Sequence, residues 1–256
     1  MGRLDGRVAI VTGAAHGERA AIGSVYAKAL AREGAKVVAA DVKDCRSVID
    51  EIEAAQGTAI ALKADVRDEA SVQAMVARTL ERFGRLDILV NNAAIGSNIP
   101  PVPVTELGLG QWDELMAVNV RGPFLCVKAA VPAMRRNNYG KIVNVGSTTM
   151  VTGLPDRLHY VTAKGAILAM TRALATELGP AGIRINTISY GLVTNPVTEA
   201  EFAAHPAKRA AIIGERAMEK DLYAADLVGT LVYLCAADSD AVTGQCLVVD
   251  HGAIYN

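Results

Sequence analysis

Residues 8–17 read VAIVTGAAHG, a short apolar run that breaks into a glycine-rich turn. Gly23 follows it and belongs to a stretch, 22–33, with a helical apolar period. Strand, turn and helix in that order open a βαβ unit. Glycines such as Gly13 and Gly17 at this turn let a backbone approach a pyrophosphate, which then rests on the helix N-terminus. They also suit a plain tight turn, and the turn alone does not separate the two readings. Working outward, KVVAA (36–40), TAIALK (58–63), LDILV (86–90), KIVNV (141–145), IRINTI (183–188) and CLVVD (246–250) read as further strands. They are rich in Val and Ile and mostly do not alternate, as expected of strands covered on both faces. Helical patterns fill 45–55, 69–83, 111–136, 158–179 and 222–236. The rhythm predicts an α/β chain, one domain over 1–256, with a doubly wound sheet of about seven parallel strands and helices on both faces.

The 256 residues carry 26 basic and 27 acidic side chains, a balance that offers no field for nucleic acid or an anionic membrane. Hydrophobic residues make up 51%, which excludes a disordered chain. Cysteines at 45, 126, 235 and 246 have no metal-ligand spacing and read as reduced thiols; no metal site is expected. No apolar run reaches the ~18 residues of a membrane span, and the start shows no secretory pattern. A cytoplasmic protein is expected.

Asp41 ends the second strand. A carboxylate there can accept hydrogen bonds from an adenosine ribose and would repel a 2′-phosphate, so NAD is favoured over NADP. TGAAHG (12–17), Asp41, the NNAA run (91–94), Ser147 and YVTAK (160–164) together resemble the short-chain dehydrogenase/reductase family, over nearly the whole chain. The resemblance implies a Rossmann-like fold and a cofactor site of Gly13, Ala15, Gly17, Ile22, Asp41, Asp65, Val66, Asn92, Ala93, Tyr160, Lys164, Gly191, Val193 and Asn195. Within it Asp65 would meet the adenine edge and Val66 pack on the ring. The family's glycine spacing is departed from: Glu18–Ala21 reads as an insertion of about four residues, a bulged loop in which Glu18 and Arg19 read as solvated side chains, with a reach of Arg19 to a phosphate as the alternative. The family's Pro-Gly is Tyr190-Gly191 here. Its carboxamide-holding threonine aligns with Asn195, with Thr194 alongside, and either side chain could serve. DHG (250–252) stands where DGG is commoner, and His251 is expected at the surface or an interface.

Tyr160 and Lys164 lie four apart in a helical pattern and so share one face. A lysine cation ~4 Å from a phenol is worth ~4 kcal/mol at an effective dielectric of ~20, which favours the phenolate and brings the phenol toward general acid–base use. Ser147 precedes Tyr160 by thirteen residues, the family spacing for a serine that steadies a developing alkoxide. Thr148 and Thr149 could cap a turn there instead. Asn119 matches the family's fourth catalytic position. Pro123 lacks an N–H and crowds the carbonyl of Asn119, so a water is expected at that freed carbonyl as a relay to Lys164.

The segments 94–110 and 195–220 break the βαβ rhythm after strand ends, where such sheets hold ligands. Residues 195–220 are expected to form a substrate lid. Ile95, Ile99, Val102, Leu192, Val197 and Phe202 with few fixed charges suggest a medium-sized, mostly apolar aryl or alicyclic alcohol rather than an acidic substrate. Thr152, Gly153, Leu154 and His159 lie between Ser147 and Tyr160, so some of them are expected to face the substrate. A polyol or sugar is the competing reading, with His159, Asp156 and Asn98 as polar contacts. The mostly apolar helix at 158–179 and the family pattern imply a homotetramer. The leading function is NAD-linked oxidation of a secondary alcohol to a ketone. The alternatives are an NADP-dependent carbonyl reductase and, from another class, a non-catalytic dinucleotide sensor.

Overall fold

The structure, a computed structural model, describes residues 2–17, 22–96 and 99–255. Seven parallel strands form one sheet: β1 (Val8–Thr12), β2 (Lys36–Asp41), β3 (Thr58–Lys63), β4 (Ile88–Asn91), β5 (Gly140–Val145), β6 (Ile183–Tyr190) and β7 (Cys246–Val249). Their order is β3-β2-β1-β4-β5-β6-β7. The helices are α1 (Ile22–Arg32), α2 (Arg46–Ala54), α3 (Glu69–Phe83), α4 (Leu109–Met116), α5 (Gly122–Arg136), α6 (Thr149–Thr152), α7 (Leu158–Leu178), α8 (Pro196–Ala204), α9 (Pro206–Gly214) and α10 (Val228–Cys235).

The unalternating strands have the cause their sequence implies. Ala9, Val11, Val37, Ala39, Val143 and Val145 point to a core shared with Tyr26, Leu30 and Leu231 from α1 and α10. Ile10, Val38, Ala40, Leu89 and Ile142 point to the opposite core, with Val72, Met75, Leu125 and Met134 from α3 and α5. Each strand therefore needs apolar side chains at successive positions. Chain order reverses between β1 and β4, and the crevice opens at the carboxyl ends of the strands there.

Three segments differ from the sequence expectation. The helix expected over 111–136 is two helices joined by a π turn, Ala117–Arg121, in which the Gly122 N–H closes on the Ala117 carbonyl. Pro123 cannot donate to the carbonyl four residues back, and the wider turn is where the helix absorbs that loss. The expected helix 222–236 is shorter: a 3-10 turn, Ala224–Leu227, leads into α10. Residues 195–220 are not a bare loop but carry α8 and α9. Glu18–Ala21, with Arg19, and Asn98 lie outside the described residues.

Candidate active site

The glycine turn after β1 is built by close approach. Gly13 has φ +66°, and a Cβ on it would stand 2.6 Å from the Ala93 Cα. A Cβ on Gly23 would collide with the Gly13 carbonyl oxygen. Asn92 locks the turn from the next strand: its side-chain amide donates to the carbonyls of Thr12 and Gly13, both at 3.0 Å. Thr12, not singled out in the sequence, accepts the Asn92 and Ala93 N–H groups on Oγ1 and donates to the Val90 carbonyl. Asp41 accepts the Ala15 N–H at 3.1 Å and the Lys43 N–H at 2.9 Å, so its carboxylate is fixed beside the turn.

One cleft of about 1160 Å³ runs over these strand ends. Gly13, Ala15, Gly17, Ile22, Asp41, Asp65, Val66, Asn92, Ala93, Gly191, Val193 and Asn195 all line it, as do Ser147 and Tyr160. The donor set suits a dinucleotide: a carboxylate at the end of β2, a close-approach glycine turn over β1, and hydroxyls over β5. The Asp65 carboxylate binds Arg67 through Nη2 at 2.7 Å, and that guanidinium holds it below the usual carboxylate range. Val66 is buried and presses on Gly122.

At the β5 end, the Ser147 Oγ accepts from the Thr149 hydroxyl at 2.9 Å and from the Thr149 N–H at 3.3 Å. Both acceptor positions are taken, which leaves the Ser147 O–H to donate into the cleft. Thr149 thus orients Ser147 rather than merely capping a turn. Tyr160 is buried on α7 with its ring centroid 5.7 Å from the Lys164 Nζ. Lys164 stands behind the wall and donates to the Val145 carbonyl at 2.8 Å. Burial pushes its ammonium down to about 8. Asn119, also behind the wall, is stitched to Ile95: its Oδ1 accepts the Ile95 N–H at 2.8 Å and its Nδ2 donates to the Ile95 carbonyl at 2.9 Å. The side chain of Asn119 therefore anchors the 94–110 segment to the π turn.

Asn195 and Thr194 both have partners within their own loop. Asn195 caps α8, accepting from the N–H groups of Val197 and Thr198. The Thr194 hydroxyl donates to Asp221, whose carboxylate also binds Arg209. Tyr190 lines the cleft and packs on the core, and burial raises its phenol well above its ordinary value.

Other expectations need correction. His159 is 4% exposed and is not among the lining residues; its Nδ1 has no hydrogen-bond partner among the described residues, and burial, with Arg157, lowers its pKa. His251 is buried, not at the surface, with its Nδ1 3.3 Å from the Lys220 carbonyl. The Asp250 carboxylate gathers the N–H groups of Gly252, Ala253 and Ile254, which turns the chain end inward. The 195–220 segment is also more charged than expected: Glu201, Lys208, Glu215 and Arg216 line the cleft, and Arg157 joins them.

A family model described as enoyl-(acyl carrier protein) reductase matches residues 13–254. The 2-(R)-hydroxypropyl-CoM dehydrogenase of Xanthobacter autotrophicus is 35% identical over 249 residues, 95% of this chain and 97% of that protein. The cyclopentanol dehydrogenase of Comamonas is 33% identical over 258 residues, covering 100% of both chains. A solved structure of a Sinorhizobium meliloti protein superposes with a TM-score of 0.89 at 33% identity, over 98% of this chain and 97% of that one. Among the described residues no helix is long and apolar enough to cross a membrane, and no cluster of metal-ligating side chains occurs.

Proposed function

The chain belongs to the short-chain dehydrogenase/reductase family and is an alcohol dehydrogenase/reductase enzyme; from that premise we propose that it interconverts a secondary alcohol and a ketone with NAD as its cofactor. The observation that carries the reading is that Ser147 and Tyr160 share one cleft with Asp41 and the Gly13 turn.

A nicotinamide held in the cleft would supply the hydride acceptor. Tyr160, as phenolate, takes the alcohol proton. Ser147, with both acceptor positions held by Thr149, donates to the same oxygen and steadies it as negative charge develops. Lys164 places a buried positive charge beside the Tyr160 ring and so favours the phenolate. Asn119 keeps the 94–110 segment against α7's neighbouring turn through its paired bonds to Ile95. On this reading Gly13, Ala15, Gly17, Ile22, Asn92, Ala93, Gly191, Val193 and Asn195 bound the cofactor's length, and Asp65 and Val66 its adenine.

Preference for NAD over NADP is read from Asp41, whose carboxylate, fixed by two backbone N–H groups at the end of β2, would repel a 2′-phosphate. The relatives include a dehydrogenase of cyclopentanol, which supports a substrate with a medium-sized alicyclic or aryl body. Residues 195–220 act as its lid. We read the protein as cytoplasmic, in keeping with four cysteines that all remain free thiols. We read the assembly as a homotetramer, in keeping with Phe124 on α5 and Leu158 on α7, large apolar side chains left 48% and 44% exposed.

The test is a panel of alicyclic and aryl secondary alcohols and ketones followed by NADH absorbance, run with both cofactors. Turnover with NAD and at least about tenfold lower kcat/KM with NADP is expected. Turnover with NADP alone would overturn the role given to Asp41, and tight NAD binding without turnover of any member would favour a sensor.

A further inference from the structure

Among the described residues, five side chains of formally charged type are buried: Asp87, Lys141, Lys164, Arg216 and Asp250. Buried charges are ordinarily matched. Asp87 meets Arg7 and Arg85, at 3.3 and 2.6 Å. Lys141 meets Asp240 at 2.9 Å. Asp250 collects three backbone N–H groups. Two cations remain without a carboxylate partner within 4 Å among the described residues. One is Lys164, already placed beside Tyr160. The other is Arg216.

Arg216 is 5% exposed, yet it lines the cleft. Its Nη1 donates to the Lys220 carbonyl at 2.7 Å and its Nη2 to the Leu192 carbonyl at 3.0 Å. No carboxylate among the described residues comes within 4 Å of it. The acidic group that feels its charge, Asp221, already spends its oxygens on Arg209 and Thr194. Glu215, its neighbour in sequence, is exposed. Two carbonyls satisfy two of the five guanidinium N–H donors but bring no countercharge.

Position says which ligand the charge faces. Leu192 follows β6, and β6 lies next to β5 in the sheet. Thr148, adjacent to Ser147, donates its N–H to the Tyr190 carbonyl, so the Leu192 turn starts beside Ser147. Asp41, by contrast, ends β2, four strand spacings from β6, or about 19 Å. The glycine turn over β1 is three spacings away, about 14 Å. The guanidinium is therefore over the β5–β6 end, with Ser147, and not over the pyrophosphate turn.

We propose that Arg216 is an anion subsite for the substrate, and that the physiological alcohol or ketone carries an acidic group, a carboxylate or a similar oxyanion, at the end away from the reacting carbon. The proposal rests on the alcohol–ketone reading given above and adds to its apolar body one charged end. It replaces the expectation of a substrate without acidic groups. Arg216 would also hold the lid's return to the Leu192 turn, so binding the anion would tie lid and reactive centre together.

The experiment pairs linear oxo acids of increasing length, levulinate among them, with methyl ketones of the same carbon count. Wild type, Arg216→Lys and Arg216→Met are compared, each checked for fold by circular dichroism. Wild type should favour at least one oxo acid over its ketone, and Arg216→Met should lose roughly thirtyfold in kcat/KM on that acid while the ketone changes by less than about threefold. Arg216→Lys should retain part of the preference. Equal losses on acid and ketone would make Arg216 a structural clamp and overturn the proposal, as would the absence of any acid preference in wild type. A weakened NADH affinity with the acid preference intact would assign the charge to the cofactor instead. Calorimetric binding of levulinate to the NADH complex keeps the two readings apart: if nothing is turned over, the alcohol–ketone reading fails, while Arg216-dependent levulinate binding still supports the subsite and its absence still sinks it.

Discussion

Two buried lysines meet strand β5 near its two ends, Lys141 from the strand itself and Lys164 from α7, and they are treated differently. At its amino end Lys141 is 1% exposed and is neutralised by Asp240, with the Ser239 hydroxyl as a second partner at 2.9 Å. Near its carboxyl end the Lys164 ammonium, 4% exposed, has the Val145 carbonyl and the nearby Tyr160 ring. Burial lowers both pKa values, but at Lys141 the Asp240 carboxylate opposes the shift. A cation whose work is structural is given its counterion within the chain. A cation left without one, buried beside a cleft, keeps its field available to a ligand or a phenolate. Arg216 belongs with Lys164 in this respect.

The contrast breaks most visibly at Tyr160. Tyr160→Phe should lower kcat on any good substrate by about a thousandfold or more while the NAD affinity stays within roughly threefold; turnover near the wild-type rate would remove Tyr160 from the chemistry. Changes at the lower end, Lys141 and Asp240, should leave kcat untouched.

A smaller effect sharpens the comparison through pH. The folded Lys164 loses its proton near 8, whereas an exposed lysine holds it to about 10.5. Below about pH 8 both folded and unfolded chains carry the charge, and this residue gives no pH dependence. Between those values the unfolded chain binds more protons, so stability should rise with pH by up to about 3 kcal/mol. Denaturant unfolding of the apoprotein, wild type against Lys164→Met, should show that rise only in wild type. Parallel curves would mean that Lys164 is not desolvated.

The smallest change tests the paired end. Asp240→Asn strands a buried ammonium and should cost about 1–3 kcal/mol, less than a fully enclosed pair because Asp240 is 42% exposed. Lys141→Met removes charge and counterion demand together and should stay within about 1 kcal/mol of wild type. Thermal unfolding distinguishes them, and equal losses from both would deny that the pair compensates burial.

How far the sequence carried depended on whether a feature was local. The strands were legible because covering both faces of a parallel sheet demands successive apolar residues, as in VAIVT and KIVNV. The glycine turn, Asp41, Ser147 and the Tyr160–Lys164 pair were legible as motifs, and the structure brings them to one cleft, with Lys164 just behind its wall. Pro123 announced a disturbed helix, but not that a π turn would absorb it or that the Asn119 amide would close on Ile95, 24 residues earlier. Thr149 was visible only as a neighbour, since its hold on Ser147 depends on a rotamer. Arg216 carried no motif: its burial goes with hydrogen bonds to the carbonyls of Leu192 and Lys220, which are 28 residues apart in sequence and brought together only by the fold. The burial of His251 is equally hidden in the sequence, because the inward turn is made by Asp250 gathering three N–H groups.

The central claim is that the buried charge of Lys164 makes Tyr160 acidic enough to exchange a proton. Nuclear magnetic resonance of ring-labelled tyrosine in the NAD complex, with Tyr160 assigned by its loss in Tyr160→Phe, measures this directly. The Tyr160 phenol should ionise at lower pH in wild type than in Lys164→Met; equal midpoints in the two proteins would contradict the account.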